Sequence, residues 1–249
     1  MQSKYKKEFF KRYVSTHIKG RKEDPTLDEF RIRSVMYQKQ MGNYLPENKK
    51  ANIIDVGCGN GSVVWWLLQA GYYNAEGIDI SEEQIESAIK IGVPNVKWAD
   101  LTSYLKERDN FYDVVILRDV LEHFSKDEII TILEICRDSL KNNGKMILQV
   151  PNAESPFFGR LRYGDFTHEI AFCYSSLNQI LNIIGMKHIE CHPSGPVYTG
   201  IKSLMRIFVW KILEMFYKFL LYSELGAAYG KRIVTQSVIA VAEKIQSDI

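Results

Sequence analysis

Residues 53–61 constrain the fold more than any other stretch of this chain. Ile53-Ile54-Asp55-Val56 is a short apolar run carrying one acid, and Gly57-Cys58-Gly59-Asn60-Gly61 follows it directly. Three alternate glycines give the backbone access to positive φ and let a ligand come close to the main chain. Ser62 to Ala70 is apolar and helix-like. The loop therefore joins a strand to a helix, where a doubly wound α/β sheet binds nucleotide-like ligands. A dinucleotide fingerprint would place its third glycine one residue later and seat a pyrophosphate on the helix N-terminus. Here an acid precedes the glycines and would repel an anion. Asp55 suits a ligand that carries positive charge.

Acids recur at the ends of the strands that follow. Ala75-Glu76-Gly77-Ile78-Asp79-Ile80-Ser81 is a short strand ending in Asp79, about 20 residues beyond the glycine loop, the offset of a residue that accepts hydrogen bonds from ribose hydroxyls. Ser81, Glu82 and Glu83 read as a helix start. Val96-Lys97-Trp98-Ala99-Asp100-Leu101 repeats the pattern. Tyr112 to Leu117 is a buried strand running into Arg118-Asp119-Val120-Leu121-Glu122-His123. Strands are expected near 52–56, 75–79, 96–99, 113–117 and 145–150. Helices alternate with them, including one over 127–140 with a stripe of Ile130, Leu133, Ile135 and Leu140, closed by Asn143-Gly144. Such alternation means a parallel sheet.

These segments together resemble the motifs of the class I S-adenosylmethionine (SAM) methyltransferases. The resemblance implies an α/β, Rossmann-like fold: a mostly parallel seven-stranded sheet with its last strand antiparallel. It implies SAM as cofactor and S-adenosylhomocysteine as product. By resemblance, Asp55, Gly57, Cys58, Gly59, Asn60 and Gly61 form the loop against the methionine part. Asp79, with Ile80, holds the ribose. Asp100 meets the adenine amino group and Leu101 packs on the ring. Arg118 and Asp119 face the cofactor from the next strand end. Asp-x-Leu-Glu-His matches a segment of many small-molecule methyltransferases, and His123 is either part of the site or a packed helix-start histidine.

The rest of the chain reads as additions to that core. Residues 1–45 carry Phe9 and Tyr13, then Phe30, Val35, Tyr37, Met41 and Tyr44, at helical spacing. They read as two helices broken near Asp24-Pro25, which in the family often fold over the cofactor as a lid. The SAM-binding core is expected over 50–194, with a helix at 175–184 and a strand at 187–192. A helical insertion follows over 195–234, and the last strand over 235–244, near 236–242. The fold ordinarily makes that last connection with a short turn, and roughly forty residues is long for it. Within the insertion, 203–222 is densely apolar, broken by Arg206, Lys211, Glu214 and Lys218. Those charges argue against a bilayer span. A helix that shapes the acceptor side or packs in a homodimer is expected, ahead of a peripheral membrane contact.

Between the fifth strand and the 175–184 helix lies Gly164-Asp165-Phe166-Thr167-His168-Glu169. It concentrates a ring that titrates near neutrality beside two acids. A hydroxyl acceptor needs a base, and His168, oriented by Asp165 or Glu169, is the expected one. The segment looks like that of bacterial methyltransferases associated with surface-polysaccharide biosynthesis. O-methylation of a sugar, or of a sugar-linked group such as a phosphate derivative, is what that resemblance implies, in capsule or lipopolysaccharide biosynthesis. The acceptor is then a small, sugar-linked or nucleotide-activated molecule. The alternatives are a ubiquinone-type small-aromatic O-methyltransferase and a non-catalytic SAM-binding protein. Some ubiquinone-pathway enzymes use a divalent cation, for which Asp165, His168 and Glu169 are the candidate ligands, but no metal is assigned. A nicotinamide oxidoreductase is disfavoured by Asp55 and the glycine spacing.

Charge and cysteines narrow the setting. A net charge of +2 with interspersed signs lacks the clustered basic face that nucleic acid requires. No signal peptide is read at Met1–Lys7, and Cys58, Cys136, Cys173 and Cys191 lack metal spacing. Reduced thiols in the cytoplasm fit best.

Overall fold

The computed structural model describes residues 4–12, 25–226 and 232–245; Tyr13 and Asp24 lie outside them. Seven strands form one sheet: β1 (Ile53–Val56), β2 (Ala75–Asp79), β3 (Val96–Trp98), β4 (Tyr112–Arg118), β5 (Leu140–Pro151), β6 (Lys187–Pro193) and β7 (Ser237–Glu243). Their order is β3-β2-β1-β4-β5-β7-β6. The first five pair in parallel, while β7 runs antiparallel to both β5 and β6. Near-continuous apolar runs explain the central strands. All of Val114–Leu117 is buried, as a strand covered on both faces requires.

Nine helices of the described residues cover the sheet: α1 (Lys4–Lys11), α2 (Leu27–Met41), α3 (Ser62–Gln69), α4 (Glu82–Ile91), α5 (Leu101–Lys106), α6 (Lys126–Ser139), α7 (Phe158–Gly164), α8 (Tyr174–Ile183) and α9 (Ile201–Leu225). Thr26 caps α2, and Ser125 with Glu128 closes a capping box on α6. One core layer joins β4 and β5 to α6 and α8 through Leu117, Leu133, Leu148 and Leu177. The other joins β1 to α2 and α3 through Tyr37, Ile53, Trp66 and Leu67.

Two expectations need correction. Helix α6 stops at Ser139, so Asn143-Gly144 does not close it, and Leu140 belongs to β5. Pairing of Leu140 with Tyr112, and an ion pair of Lys141 with Asp113 at 2.7 Å, hold this stretch on the sheet. The buried stripe of α6 is Ile129, Ile132, Leu133, Ile135 and Cys136, while Ile130 is exposed. The second N-terminal helix, α2, is a core helix beside α3 rather than a cover. Its Phe30 is buried against Trp65, and its Tyr37 hydroxyl lies 2.8 Å from Ser62 Oγ.

The chain leaves β1 for β2 and β3 on one side, then returns to place β4 on the other. Open α/β sheets bind ligands at the strand C-termini where the order reverses in this way.

Candidate active site

A cavity of about 570 Å³ opens at that reversal, lined by Gly57, Gly59, Asp79, Ile80, Asp100, Leu101, Asp119 and His123. The glycine loop forms one wall. Gly57, Gly59 and Gly61 sit at φ of 72°, 54° and 76°, where a side chain is strained. At Gly57 an added Cβ would also lie 2.5 Å from Val120 Cγ2, whereas the nearest neighbour at Gly59 is 3.8 Å away. The loop therefore presents bare backbone to the cavity at Gly59. Its amides are fixed from behind. Gly57 N–H and Cys58 N–H both donate to the Ile78 carbonyl. Gly59 N–H donates to Asp79 Oδ2 and Ser81 N–H to Asp79 Oδ1, at 2.8 and 2.7 Å.

Cys58, Asn60, Gly61, Asp55 and Arg118 are not among the lining residues. Cys58 is buried beneath the loop, where a Cβ on Gly77 would lie 2.7 Å from its own Cβ. Burial holds its thiol well above the ordinary range, so it stays protonated. Asp100 caps α5 by accepting from Ser103 N–H at 3.0 Å, and still borders the cavity.

The end of β4 carries a connected polar group. Arg118 donates to Gln149 Oε1 at 2.9 Å, and Gln149 Nε2 donates to Asp119 Oδ2 at 2.8 Å. The Arg118 guanidinium also lies 4.5 Å from the Tyr37 ring centre. Asp119 holds a φ of 56°, a conformation Asp tolerates better than most residues. Gln149 was not anticipated from the sequence. Its signal is a lone amide in the apolar run Met146–Val150.

Electrostatics at the strand ends favour a cation. Burial pushes the Asp55 carboxyl up to about 7, opposed by Arg118 and reinforced by Asp79. Burial also raises Asp79, against the pull of backbone amides, and raises Asp119, against Arg118, Gln149 and His168. Asp55 Oδ1 and Arg118 Nε are buried with no hydrogen-bond partner among the described atoms. An orphaned carboxylate oxygen behind the glycine loop, with two more acids at neighbouring strand ends, suits a cationic ligand bearing its own donors.

A second polar cluster sits where β4 meets the loop after β5. The Thr167 hydroxyl bonds Asp165 Oδ1 at 2.6 Å and His123 Nδ1 at 2.8 Å. Its single proton goes to the acid, so His123 Nδ1 donates, and in the neutral ring the acceptor nitrogen is then Nε2. His168 Nδ1 meets the Leu161 carbonyl at 2.8 Å, and a carbonyl only accepts. In the neutral ring, that leaves His168 Nε2 as an acceptor. The two rings meet edge-on with centroids 4.7 Å apart. Glu122 is buried beside them with Oε2 unpartnered, and burial plus Asp119 holds its carboxyl well above the usual range.

His168 is oriented by a carbonyl here and not by the acids expected for it. Asp165 Oδ1 accepts from the Thr167 amide and hydroxyl. The Glu169 carboxylate takes the Tyr5 hydroxyl and lies 3.9 Å from Lys6 Nζ. A cation-capable set also differs from Asp165–His168–Glu169: Glu122, His123 and His168 each bring a ligand atom within 4.8 Å of the others.

Helix α1 closes one side of the cavity. Phe10 lines it and meets the His123 ring at 5.8 Å. Lys6 is buried and anchors the helix to Glu128 of α6 at 2.9 Å. A second cavity, about 630 Å³, lies at the same sheet edge beyond β5, between Ser194, Thr235 and helix α9. It is lined by Phe157, Trp210, Val209 and Leu213, with Lys202 and Arg206.

Residues 30–190, more than half of the chain, match the family model described as a methyltransferase domain. No curated protein matches the chain. Among solved structures, a SAM-dependent methyltransferase from Archaeoglobus fulgidus is similar at 21% identity and TM-score 0.61, covering 87% of this chain and 97% of its own. A Thermotoga maritima protein described as a possible histamine N-methyltransferase is similar at 17% identity and TM-score 0.59, covering 95% of this chain and 99% of its own. Haemonchus contortus phosphoethanolamine N-methyltransferase 2, in complex with SAM, is similar at 16% identity and TM-score 0.60, over 95% of this chain and 60% of its own. These likenesses show the fold, a Rossmann-like sheet with β7 reversed.

Proposed function

The chain belongs to the methyltransferase domain family and is a SAM-dependent methyltransferase of class I fold; from that premise we propose that it O-methylates a sugar, or a sugar-linked group such as a phosphate derivative. The reading extends to bacterial capsule or lipopolysaccharide biosynthesis through the Asp165-x-Thr167-His168-Glu169 segment. The observation that carries it is the pair of histidines beside the cofactor cavity: His123 lines it, His168 packs edge-on against His123, and in their neutral forms both rings present Nε2 as the acceptor.

SAM supplies an electrophilic methyl on a sulfonium. The chain's task is to hold the reactants in line, exclude water and take a proton from a hydroxyl acceptor. In this reading Gly57 and Gly59 carry the methionine part, and Asp55 with Arg118 answers its charged end. Asp79 and Ile80 hold the ribose; Asp100 and Leu101 meet the adenine. Asp119 borders the transfer point. His168 Nε2 is the base. His123, fixed through Thr167 and Asp165, packs beside His168 and keeps its ring in place. Glu169 serves the cover instead: with Lys6 it ties α1 over the cavity. Lys202 and Arg206 in the second cavity suit an anionic, phosphate-bearing acceptor. The apolar lining of that cavity, Phe157, Val209, Trp210 and Leu213, favours the runner-up, a small-aromatic O-methyltransferase of ubiquinone type.

Transfer of labelled methyl from SAM separates these readings. Phosphorylated or nucleotide-linked sugars should be methylated in preference to catechol-type acceptors. Turnover of catechols alone would replace the sugar reading with the aromatic one. Cofactor binding without turnover on either class would point to a non-catalytic protein.

A further inference from the structure

We propose that helix α9 docks the protein on an anionic lipid surface, lying in the headgroup layer without crossing it. The inference does not depend on the acceptor assigned above. Helix α9 is built inside out for a helix in water. At 100° per residue, Ser203, Trp210, Glu214 and Leu221 share one side, and they are buried or half-buried. The opposite side carries Ile201, Phe208, Ile212, Met215, Phe216 and Phe219, between 48% and 84% exposed. A continuous apolar face of this size marks an interaction surface.

Charge decides the occupant. Lys211 and Lys218 border the apolar face on one side, Lys202 and Arg206 on the other. Two acids oppose these four cations on the helix, and one of them, Glu214, is buried and bonded to Lys211 and Lys218. An apolar face edged by long basic side chains fits an anionic bilayer surface, where stems stay in the apolar layer and ammonium groups reach the phosphates. A second copy fits less well. Both margins are basic, so parallel or antiparallel pairing of two α9 helices brings cation against cation. No helix among the described residues is long and apolar enough to cross a membrane. Lys202 and Arg206 also line the second cavity, so docking brings that cavity to the headgroup layer.

The test is co-sedimentation of the full chain with vesicles of phosphatidylcholine alone or with added phosphatidylglycerol. Binding should be at least ~10-fold stronger with phosphatidylglycerol and should weaken as salt rises. The double variant Phe208→Glu, Phe216→Glu should lose at least ~10-fold in vesicle binding. Unchanged S-adenosylhomocysteine binding by calorimetry would show that it is folded. If that variant fails to bind the nucleoside, Phe219→Ser takes its place, and a several-fold loss is expected. Equal binding to both vesicle types, or wild-type binding by the folded variants, would overturn the proposal. So would a dimer in sedimentation equilibrium that Phe216→Glu splits, with no affinity for vesicles; that outcome assigns the face to a second copy.

Discussion

The two ends of the sheet edge are built by different means. On the β1–β2 side, the site is made from neighbours: Gly59 and Asp79, joined by one hydrogen bond, are 20 residues apart. On the β4–β5–β7 side, the contacts that join one element to another close long loops. His123 meets Thr167 over 44 residues, Asn152 holds the Thr235 carbonyl over 83, and Lys6 reaches Glu128 over 122. The first kind of site is a local conformation that glycines and one acid dictate. The second exists only after the sheet has formed, and its chemistry is free to vary with the loops that meet there. The difference predicts that cofactor binding and acceptor turnover are separable by mutation.

The largest effect should come from the long-range side. His168→Ala removes the proposed base, and turnover should fall by about 10²-fold or more while SAM affinity stays nearly level. Steady-state kinetics beside calorimetry reads both. Loss of both together would break the separation, because the histidine would then be shaping the cofactor cavity.

Asp79→Ala tests the local side. It removes the acceptor of two loop amides and the proposed partner of the ribose hydroxyls. A hydrogen bond to a charged group contributes roughly 1.5–3 kcal/mol, so affinity for S-adenosylhomocysteine should drop at least ~10-fold. Equal affinity in calorimetry would show that the loop holds its shape and its ligand by other means.

The smallest effect is a pH dependence confined to the same side. Asp55 titrates near 7 in the folded, ligand-free protein, against an ordinary value of 3.8. Between those values the folded chain holds a proton that the unfolded chain has released. Stability from this group is therefore greatest at low pH, falls as pH rises toward 7, and levels off above it. A cationic cofactor end prefers the ionised carboxylate, so SAM affinity should rise several-fold from about pH 6 to about pH 8. In Asp55→Asn both trends should flatten, with a more stable free protein at neutral pH and weaker SAM binding. Thermal melts and calorimetry across the range give the two slopes. A wild-type affinity that falls with pH would reverse the role assigned to Asp55.

The same contrast explains what was legible in the sequence. The strands expected near 52–56, 75–79, 96–99 and 113–117 form at Ile53–Val56, Ala75–Asp79, Val96–Trp98 and Tyr112–Arg118, because each is an apolar-rich run with an acid at or beside its end. Asp79, Asp100 and Asp119 fall on the cavity because each lies at or just past the C-terminal end of a parallel strand, on one edge of the sheet. Gly77 reads only as a strand glycine until Cys58 and Val64 are seen packed against it. The partners of His168 were illegible for a related reason. Proximity in sequence suggested Asp165 and Glu169, but the turn sends one acid to Thr167 and the other to α1. The Leu161 carbonyl that replaces them has no sequence signature. Glu122 was visible as part of Asp-x-Leu-Glu-His, yet its unpartnered burial beside two histidines depends on the register between that segment and residues 165–169. The end of α6 was misplaced because Asn143-Gly144 is a strong local stop signal, and it was outweighed by pairing of Leu140 with β4.

The position of β7 has a consequence for how the molecule comes into being. This strand follows the other six in the sequence, yet it lies between β5 and β6 and pairs with both. A nascent chain that has emerged only as far as residue 234 can pair β1 through β5, but the β5 edge that β7 covers in the finished sheet is open and β6 has no strand partner. Open edges template pairing with other chains. The interval before residues 237–243 emerge is thus the time of greatest exposure to aggregation, and the apolar length of α9 is made within it. Holding factors that bind nascent apolar segments would act in that interval, and slower synthesis across 201–234 would lengthen it.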